Sequence, residues 1–457
     1  MLFHTWEFVV FFAIVMSVYL LLKKTKWWTI WLLIVSYFFY GWWNPLFLIL
    51  IVYSTAVDYL VGLKLGDSKY RKSWLAFSLI NNLFLLGFFK YAGFFAENLR
   101  TLFTILHVPL DVPAPSILLP VGISFFTFQS MSYSIDVYNR SLKIEKNFIR
   151  FAAFVALFPQ LVAGPIERAK ALLPQMRREP VIRGVDISDG ISLFLVGLFK
   201  KAVMADFLSL YVEKIYGDPS FYGSLALLFG TYAFAWQIYF DFSGYTDMAR
   251  GIAKIMGIRL MLNFNNPYTA VDLGDFWRRW HISLSSWFKD YVYIPLGGSR
   301  GIKYKVYWNI FLTMAISGFW HGAAWTFVIW GALNAIGRVA TMDIERMNFY
   351  KKIPKFVKQL LVFHFICVTW VFFRATSVSE ALIILKRIAQ GIGGNPEIPI
   401  IMFVIVGAVW LYQFMFNSTL SKLLENRFLR IGGMAVAMLL FLLFSSAAHK
   451  QFIYFQF

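Results

Sequence analysis

Cysteine is nearly absent from this 457-residue chain: Cys367 stands alone, inside an apolar segment. A disulfide within the chain and a cysteine-based metal cluster are thereby excluded. Charge is also scarce, at 15% of residues against about 25% in an average soluble protein. The acidic sign is the scarcer one, with 24 acidic against 43 basic residues and a net charge of +19. No HExxH or Cys/His spacing marks a metal site, and no GxGxxG spacing marks a dinucleotide loop. Low-complexity stretches, long linkers and transporter-like internal repeats are missing too. The N-terminus does not read as a cleavable signal peptide, because no basic residue precedes the first apolar run and no small-x-small site follows it. Lys23, Lys24 and Lys26 come after that run, which favours an N-terminus outside and the lysines inside.

What fills the chain is apolar. Hydrophobic residues make up 59% and aromatic residues 20%, and the mean hydropathy is +0.63. This composition describes an all-α, polytopic membrane protein embedded in a lipid bilayer. The basic excess sits in short loops between spans, so it reads as cytoplasmic loops and anionic-lipid contacts, not as a nucleic-acid surface. Apolar segments long enough to span fall at 8–22, 27–43, 46–63, 74–95, 117–138, 189–211, 222–240, 305–320, 323–340, 357–374, 398–416 and 431–446. The expectation is 11–13 membrane segments, with re-entrant and interfacial helices, in a single domain over 1–457.

Phe151 to Pro165 departs from this pattern. Arg140, Lys143, Lys146 and Arg150 precede it, and Arg168, Lys170, Arg177, Arg178 and Arg183 follow it. Two basic flanks on one side predict a re-entrant or broken segment instead of a crossing. Trp27, Trp28, Tyr37, Tyr40, Trp42 and Trp43 read as interface anchors, and 101–116, with its prolines, as an exposed loop. Tyr239 to Tyr245 reads YFDFSGY and ends an apolar span, and a short polar or interfacial helix is expected to follow. Asp247 is expected to pair with Arg250 or cap a helix; alternatively, Asp241 or Asp247 orients a histidine.

The densest polar machinery lies between Asp275 and Gly322. Polar groups among apolar spans are costly and mark function by default. Over Asp275 to Asp290, Trp277, Trp280, His281, Leu284, Trp287 and Phe288 share one face of a helical wheel. Arg278, Arg279, Ser285, Ser286 and Lys289 share the other. This predicts one amphipathic helix in the membrane interface. His321 follows an apolar run and directly precedes Gly322, a break at which freed backbone groups can line a cavity. The segment LGGSRG at 296–301 reads either as a tight turn after Pro295 or as a loose phosphate cradle.

Several motifs together resemble the membrane-bound O-acyltransferase family, in its bacterial alginate O-acetylation branch. They are FPQLVAGPIER at 158–168, WQIYFDFSGYTDMARG at 236–251, NFNNPY at 263–268, DFWRRWHISLSSWFKDYVYIPLGGSRG at 275–301, SGFWHGAAW at 317–325 and WVFFRA at 370–375, with the terminal FIYFQF. They cover about 120–457. The resemblance implies a central acyl-transfer site with His321, in the WHG position, as the catalytic residue. His281 stands where many eukaryotic members carry asparagine, so it is a second catalytic group, a substrate contact or a packing residue. Acetyl-CoA is the implied acyl donor, and no metal is expected. A periplasmic or membrane-anchored acetyltransferase partner and a polysaccharide acceptor, reached indirectly, are implied as well. The implied location is the bacterial cytoplasmic (inner) membrane.

The chemistry of such a transfer needs a proton acceptor, a place for the oxyanion and an activated donor. A neutral histidine suits the first task. The oxyanion would fall to backbone N–H groups or to His281. Arg278, Arg279 and Arg300, with Lys289, Lys303 and Lys305, form a basic neighbourhood suited to coenzyme A phosphates; a lipid-facing basic loop explains them equally. An acyl or solute conduit, a scaffold, and D-alanyl transfer to teichoic acid are the competing readings.

Overall fold

The computed structural model describes residues 1–416 except Asp111, Ala114, Ser116, Asn395 and Pro396, plus isolated positions beyond 431. Most of the expected segment at 431–446, and all of the terminal FIYFQF, lie outside the described residues. Among the described residues the secondary structure is helical, with no strand. The protein is an all-α polytopic membrane protein. Among the described residues, four helical stretches are long and apolar enough to cross a membrane: Phe47–Gly66, Arg71–Ile105, Trp325–Ile344 and Lys355–Arg374. Trp6–Leu22 and Trp28–Gly41 are shorter apolar helices.

The chain divides into two compact units, one of residues 1–191 and 249–261, the other of 192–248 and 262–457. The first holds α1 (Trp6–Leu22), α2 (Trp28–Gly41), α3 (Phe47–Asp67), α4 (Arg71–Leu86), α5 (Ala92–Ile105), α6 (Ile123–Tyr138), α7 (Phe148–Ala156), α8 (Phe158–Leu161) and α9 (Ala169–Met176). A π-helical turn, Gly87–Tyr91, joins α4 to α5. The loop expected from residue 101 therefore starts only after Ile105, where the apolar run ends.

The segment from Phe151 to Pro165 is broken. The helix stops at Leu157, whose ψ of 113° leaves the helical range, and α8 restarts with Pro159 in its first turn. A break among apolar side chains needs new partners for the freed backbone. Gln129 and Gln160 each donate a side-chain amide to the Phe154 carbonyl, at 2.9 and 2.8 Å, and the Phe158 N–H donates to Ser36 Oγ at 3.1 Å. All residues from Phe151 to Leu157 are fully buried. In the same unit Glu167 is buried and accepts a hydrogen bond from the Met261 N–H, and burial pushes its pKa up to about 7.

Helices α10 (Gly184–Phe199) and α12 (Ser224–Ile255) contribute residues to both units, and α11 (Asp206–Gly217) lies between them in sequence. The expected change of element after Tyr245 does not occur, since α12 continues unbroken to Ile255. Its Gly244 lets α10 approach closely, because a Cβ there would sit 2.7 Å from the Gly197 carbonyl oxygen of α10. Asp247 and Asp241 of α12 pair with Lys200 and Lys201, at 2.7 and 2.8 Å, from the π-helical segment Lys200–Ala205. Asp247, expected to pair with Arg250 or cap a helix, is held by Lys200.

The rest of the second unit comprises α13 (Leu273–Arg279), α14 (Ile282–Phe288), α15 (Lys303–His321), α16 (Trp325–Ile344), α17 (Asn348–Lys352), α18 (Lys355–Arg374), α19 (Val378–Gln390) and α20 (Ile400–Phe416). Helices α15, α16 and α18 pack together and carry the aromatic core described next.

Candidate active site

The single amphipathic helix expected over Asp275 to Asp290 is instead two short helices. Asp272 caps α13 by accepting the Asp275 N–H at 2.6 Å. Arg279, in the last turn of α13, pairs with Asp275 at 3.0 Å. The chain then leaves the helix: Trp280 is extended and His281 has φ 42° and ψ 55°. A left-handed, non-glycine residue costs roughly 1–2 kcal/mol and needs outside support. The segment NFNNPY supplies it. Asn265 N–H donates to the Arg279 carbonyl and Ile282 N–H to the Asn263 carbonyl, both at 2.9 Å.

The Asn263 side chain completes the clamp. Its Oδ1 accepts from the Ser283 N–H at 3.1 Å and from Ser283 Oγ at 2.9 Å, and it lies 3.2 Å from His281 Nδ1. An atom that already accepts a backbone N–H is the amide oxygen, so His281 Nδ1 must carry the proton. The lone pair of the neutral ring is then on Nε2. His281 is buried, with Phe242 edge-on at 4.6 Å. It lies outside the helices long enough to cross a membrane, and burial pushes its pKa down to about 3. The ring is therefore neutral at physiological pH.

His321 is reached differently. It is the last residue of α15, and the extended Gly322 and Ala324 separate it from α16. Two glycines close this helical hairpin. A Cβ on Gly318 would fall 2.9 Å from Gly331 Cα, and one on Gly331 would fall 2.5 Å from the Met314 carbonyl oxygen. A Cβ on Gly322 would fall 2.1 Å from the Phe327 ring. The buried His321 ring stands nearly perpendicular to its neighbours, with centroids 5.0 Å from Trp320, 5.0 Å from Trp330 and 5.4 Å from Phe373. Trp330 stacks on Trp370 at 5.8 Å, and Trp370 meets Trp280 at 5.0 Å.

The structure thus brings His281 and His321 to one aromatic core, with Trp320 as a shared neighbour 6.5 Å from His281 and 5.0 Å from His321. Asn263, Trp330 and Phe373 complete the site. Each lies in or beside a motif quoted above, but an asparagine or an aromatic in an apolar sequence carries no local mark of its partner. Trp330 Nε1 and Asn263 Nδ2 are buried donors without a hydrogen bond among the described residues.

The three arginines are disposed unequally. Arg278 is exposed, 3.7 Å from Asp275, and Arg300 is exposed in the glycine turn. Arg279 is committed to Asp275. Gly297, Gly298 and Gly301 have φ of 113°, 58° and 102°, a tight turn that only glycine adopts freely. Its amides are used internally: Gly297 N–H donates to Ile294, Gly298 N–H to Tyr293 and Arg300 N–H to the Gly297 carbonyl. Asn309 Nδ2 pins the Gly298 carbonyl at 3.0 Å. The turn reading of LGGSRG fits better than a backbone phosphate cradle, which would need those amides pointing outward.

Comparison with known proteins gives the family. The profile of the membrane-bound O-acyltransferase family matches residues 126–379. A probable alginate O-acetylase of Pseudomonas aeruginosa is 41% identical over 350 residues, covering 75% of this chain and 66% of the relative. A peptidoglycan O-acetyltransferase of Helicobacter pylori is 37% identical over 386 residues, covering 76% and 71%. A teichoic acid D-alanyltransferase of Bacillus subtilis is 29% identical over 262 residues, covering 54% and 66%. The chain therefore spans about two thirds of the length of these relatives.

Proposed function

Since this chain belongs to the membrane-bound O-acyltransferase family, we propose that it is an O-acyltransferase that passes an acetyl group from acetyl-CoA toward a hydroxyl, for O-acetylation of an exported or cell-wall polysaccharide. The observation that carries the reading is the burial of His321 at a helix break, walled by Trp320, Trp330 and Phe373. A neutral imidazole there accepts the proton of the acceptor hydroxyl. The oxygen attacks the thioester carbonyl, the carbon–oxygen bond forms, and the tetrahedral oxyanion collapses with cleavage of the carbon–sulfur bond. The thiolate leaves and takes the proton from His321. The Trp330 indole N–H, packed against His321, and the Asn263 amide are the buried donors suited to the oxyanion. His281 Nε2 is a hydrogen-bond acceptor in the tautomer set by Asn263, and with a pKa pushed down to about 3 it is too weak a base to take the proton, so His281 serves as an acceptor-hydroxyl contact, not as an oxyanion donor.

Arg278 and Arg300 are the exposed cations for the coenzyme A phosphates. The enzyme would work in the bacterial cytoplasmic membrane. A periplasmic or membrane-anchored acetyltransferase would relay the acetyl group to the polymer. Acetyl transfer is favoured over D-alanyl transfer because the acetylating relatives match at 37–41% identity and the D-alanyl relative at 29%. Incubating purified protein and its partner with radiolabelled acetyl-CoA tests the proposal. Coenzyme A release that disappears in a monodisperse His321→Ala variant supports it, and equal turnover in both proteins would sink it.

A further inference from the structure

Away from the histidines, the first unit encloses a polar knot that the acyl-transfer reading does not use. Three helices contribute pairs one turn apart, facing each other: Ser54 and Asp58 of α3, Ser78 and Asn82 of α4, Ser130 and Ser134 of α6. All six side chains, and Thr55 beside them, are fully buried. The Asp58 carboxylate accepts from Ser78 Oγ at 2.5 Å, Asn82 Nδ2 at 2.8 Å and Ser134 Oγ at 3.2 Å. Ser54 Oγ donates to Asn82 Oδ1 at 3.0 Å. The Ser130 hydroxyl faces the same carboxyl, yet it and Thr55 Oγ1 make no hydrogen bond of good geometry among the described residues.

A compensating positive charge is what this arrangement lacks. Among the described residues, no lysine, arginine or histidine pairs with Asp58, unlike the paired Asp241 and Asp247. An uncompensated carboxylate in apolar surroundings is expensive, and buried charges are paired, neutralised or bound to a cation. Carboxylate, hydroxyl and amide oxygens are the donor set of a hard cation. A single carboxylate balances one positive charge, and a divalent ion would leave one uncompensated.

We propose that Asp58, with Ser54, Ser78, Asn82, Ser130 and Ser134, forms a site for one small monovalent cation, a sodium ion or a proton. Full-length protein in detergent tests both sources against Asp58→Asn, which keeps the shape and removes the charge. For sodium, replacing choline chloride by sodium chloride at constant ionic strength raises the Tm of the wild type by about 2 °C or more and leaves Asp58→Asn unmoved. For a proton, infrared spectra of the wild type in sodium-free buffer show a protonated-carboxyl C=O band that shifts in D2O and vanishes in Asp58→Asn. Should Asp58→Asn fail to fold, Ser130→Ala carries both arms by weakening the sodium shift or moving the band. A wild type with neither a sodium-dependent Tm nor a protonated-carboxyl band overturns the proposal.

Discussion

At His281 the chain is held by hydrogen bonds to one asparagine, and at His321 it is held by three aromatic rings and a pair of touching helices. The first arrangement is directional. Asn263 fixes which ring nitrogen carries the proton, and it supports a left-handed backbone that would otherwise be unfavourable. The second is dispersive. Trp320, Trp330 and Phe373 fix where the His321 ring lies and exclude water. Two imidazoles of the same chemistry are thereby given different tasks: one has a set tautomer, and the other a set place.

The sharpest way to break this contrast is to remove each side in turn. His321→Ala should lower acyl transfer by about 100- to 10,000-fold, the usual worth of a positioned general base. Coenzyme A release checks it, with a monodisperse elution profile as the control for folding. Asn263→Ala strips the His281 break of its acceptor and leaves buried donors at Ser283 and His281 unsatisfied. A stability loss on the order of 3 kcal/mol is expected, read as a lower Tm in detergent. Gly322→Ala does the opposite experiment on the aromatic side. Its Cβ collides with the Phe327 ring, which packs 4.9 Å from Phe373, so overpacking should cost about 1–3 kcal/mol and lower turnover by disturbing the His321 cage.

Acid separates the two breaks more gently. The unfolded chain takes up a proton on His281 near pH 6.5, while burial in the folded chain delays that uptake until about 3. The folded state binds fewer protons, so stability contributed by this residue is present above pH 6.5 and falls as pH drops toward 3. The slope is up to about 1.4 kcal/mol per pH unit. Thermal melts from pH 7.5 to 5 should show it in the wild type, and His281→Asn should flatten it. The smallest effect concerns the rim. Arg278→Ala and Arg300→Ala should raise KM for acetyl-CoA by a few-fold with kcat unchanged, the signature of lost uniform binding. Unchanged KM values would assign these arginines to lipid headgroups and leave the donor on the aromatic side.

Much of this was legible from residues that act locally. The apolar run expected at 305–320, followed by His321 and Gly322, is α15, whose ends lie at Lys303 and His321. Pro159 and Gly164, between two basic flanks, announced the interruption that the structure places at Leu157. The break at His281 was not legible, because Trp277 to Phe288 keeps a helical apolar spacing straight through it. The opposing signal is Asn263, 18 residues away from His281, and a long-range hydrogen bond leaves no trace in periodicity. The lysine partners of Asp241 and Asp247 were hidden for the same reason. They come from a segment some 40 residues upstream, while Arg250 was the nearest cation in sequence.

The contact between Gly318 and Gly331 has a bearing on timing. With backbone against backbone, α15 and α16 have no compressible layer between them, so neither can slide along the other without unpacking. A residue on a hinge can travel to meet its reactants, but His321 stands at the closed end of a stiff fork and, as the proposed base, would act as a fixed anvil. In the proposed reaction, donor thioester and acceptor hydroxyl would each have to arrive there, and turnover would follow the slower delivery. Solvent viscosity and the lipid around the entrances should then pace the enzyme more than any motion of the fork.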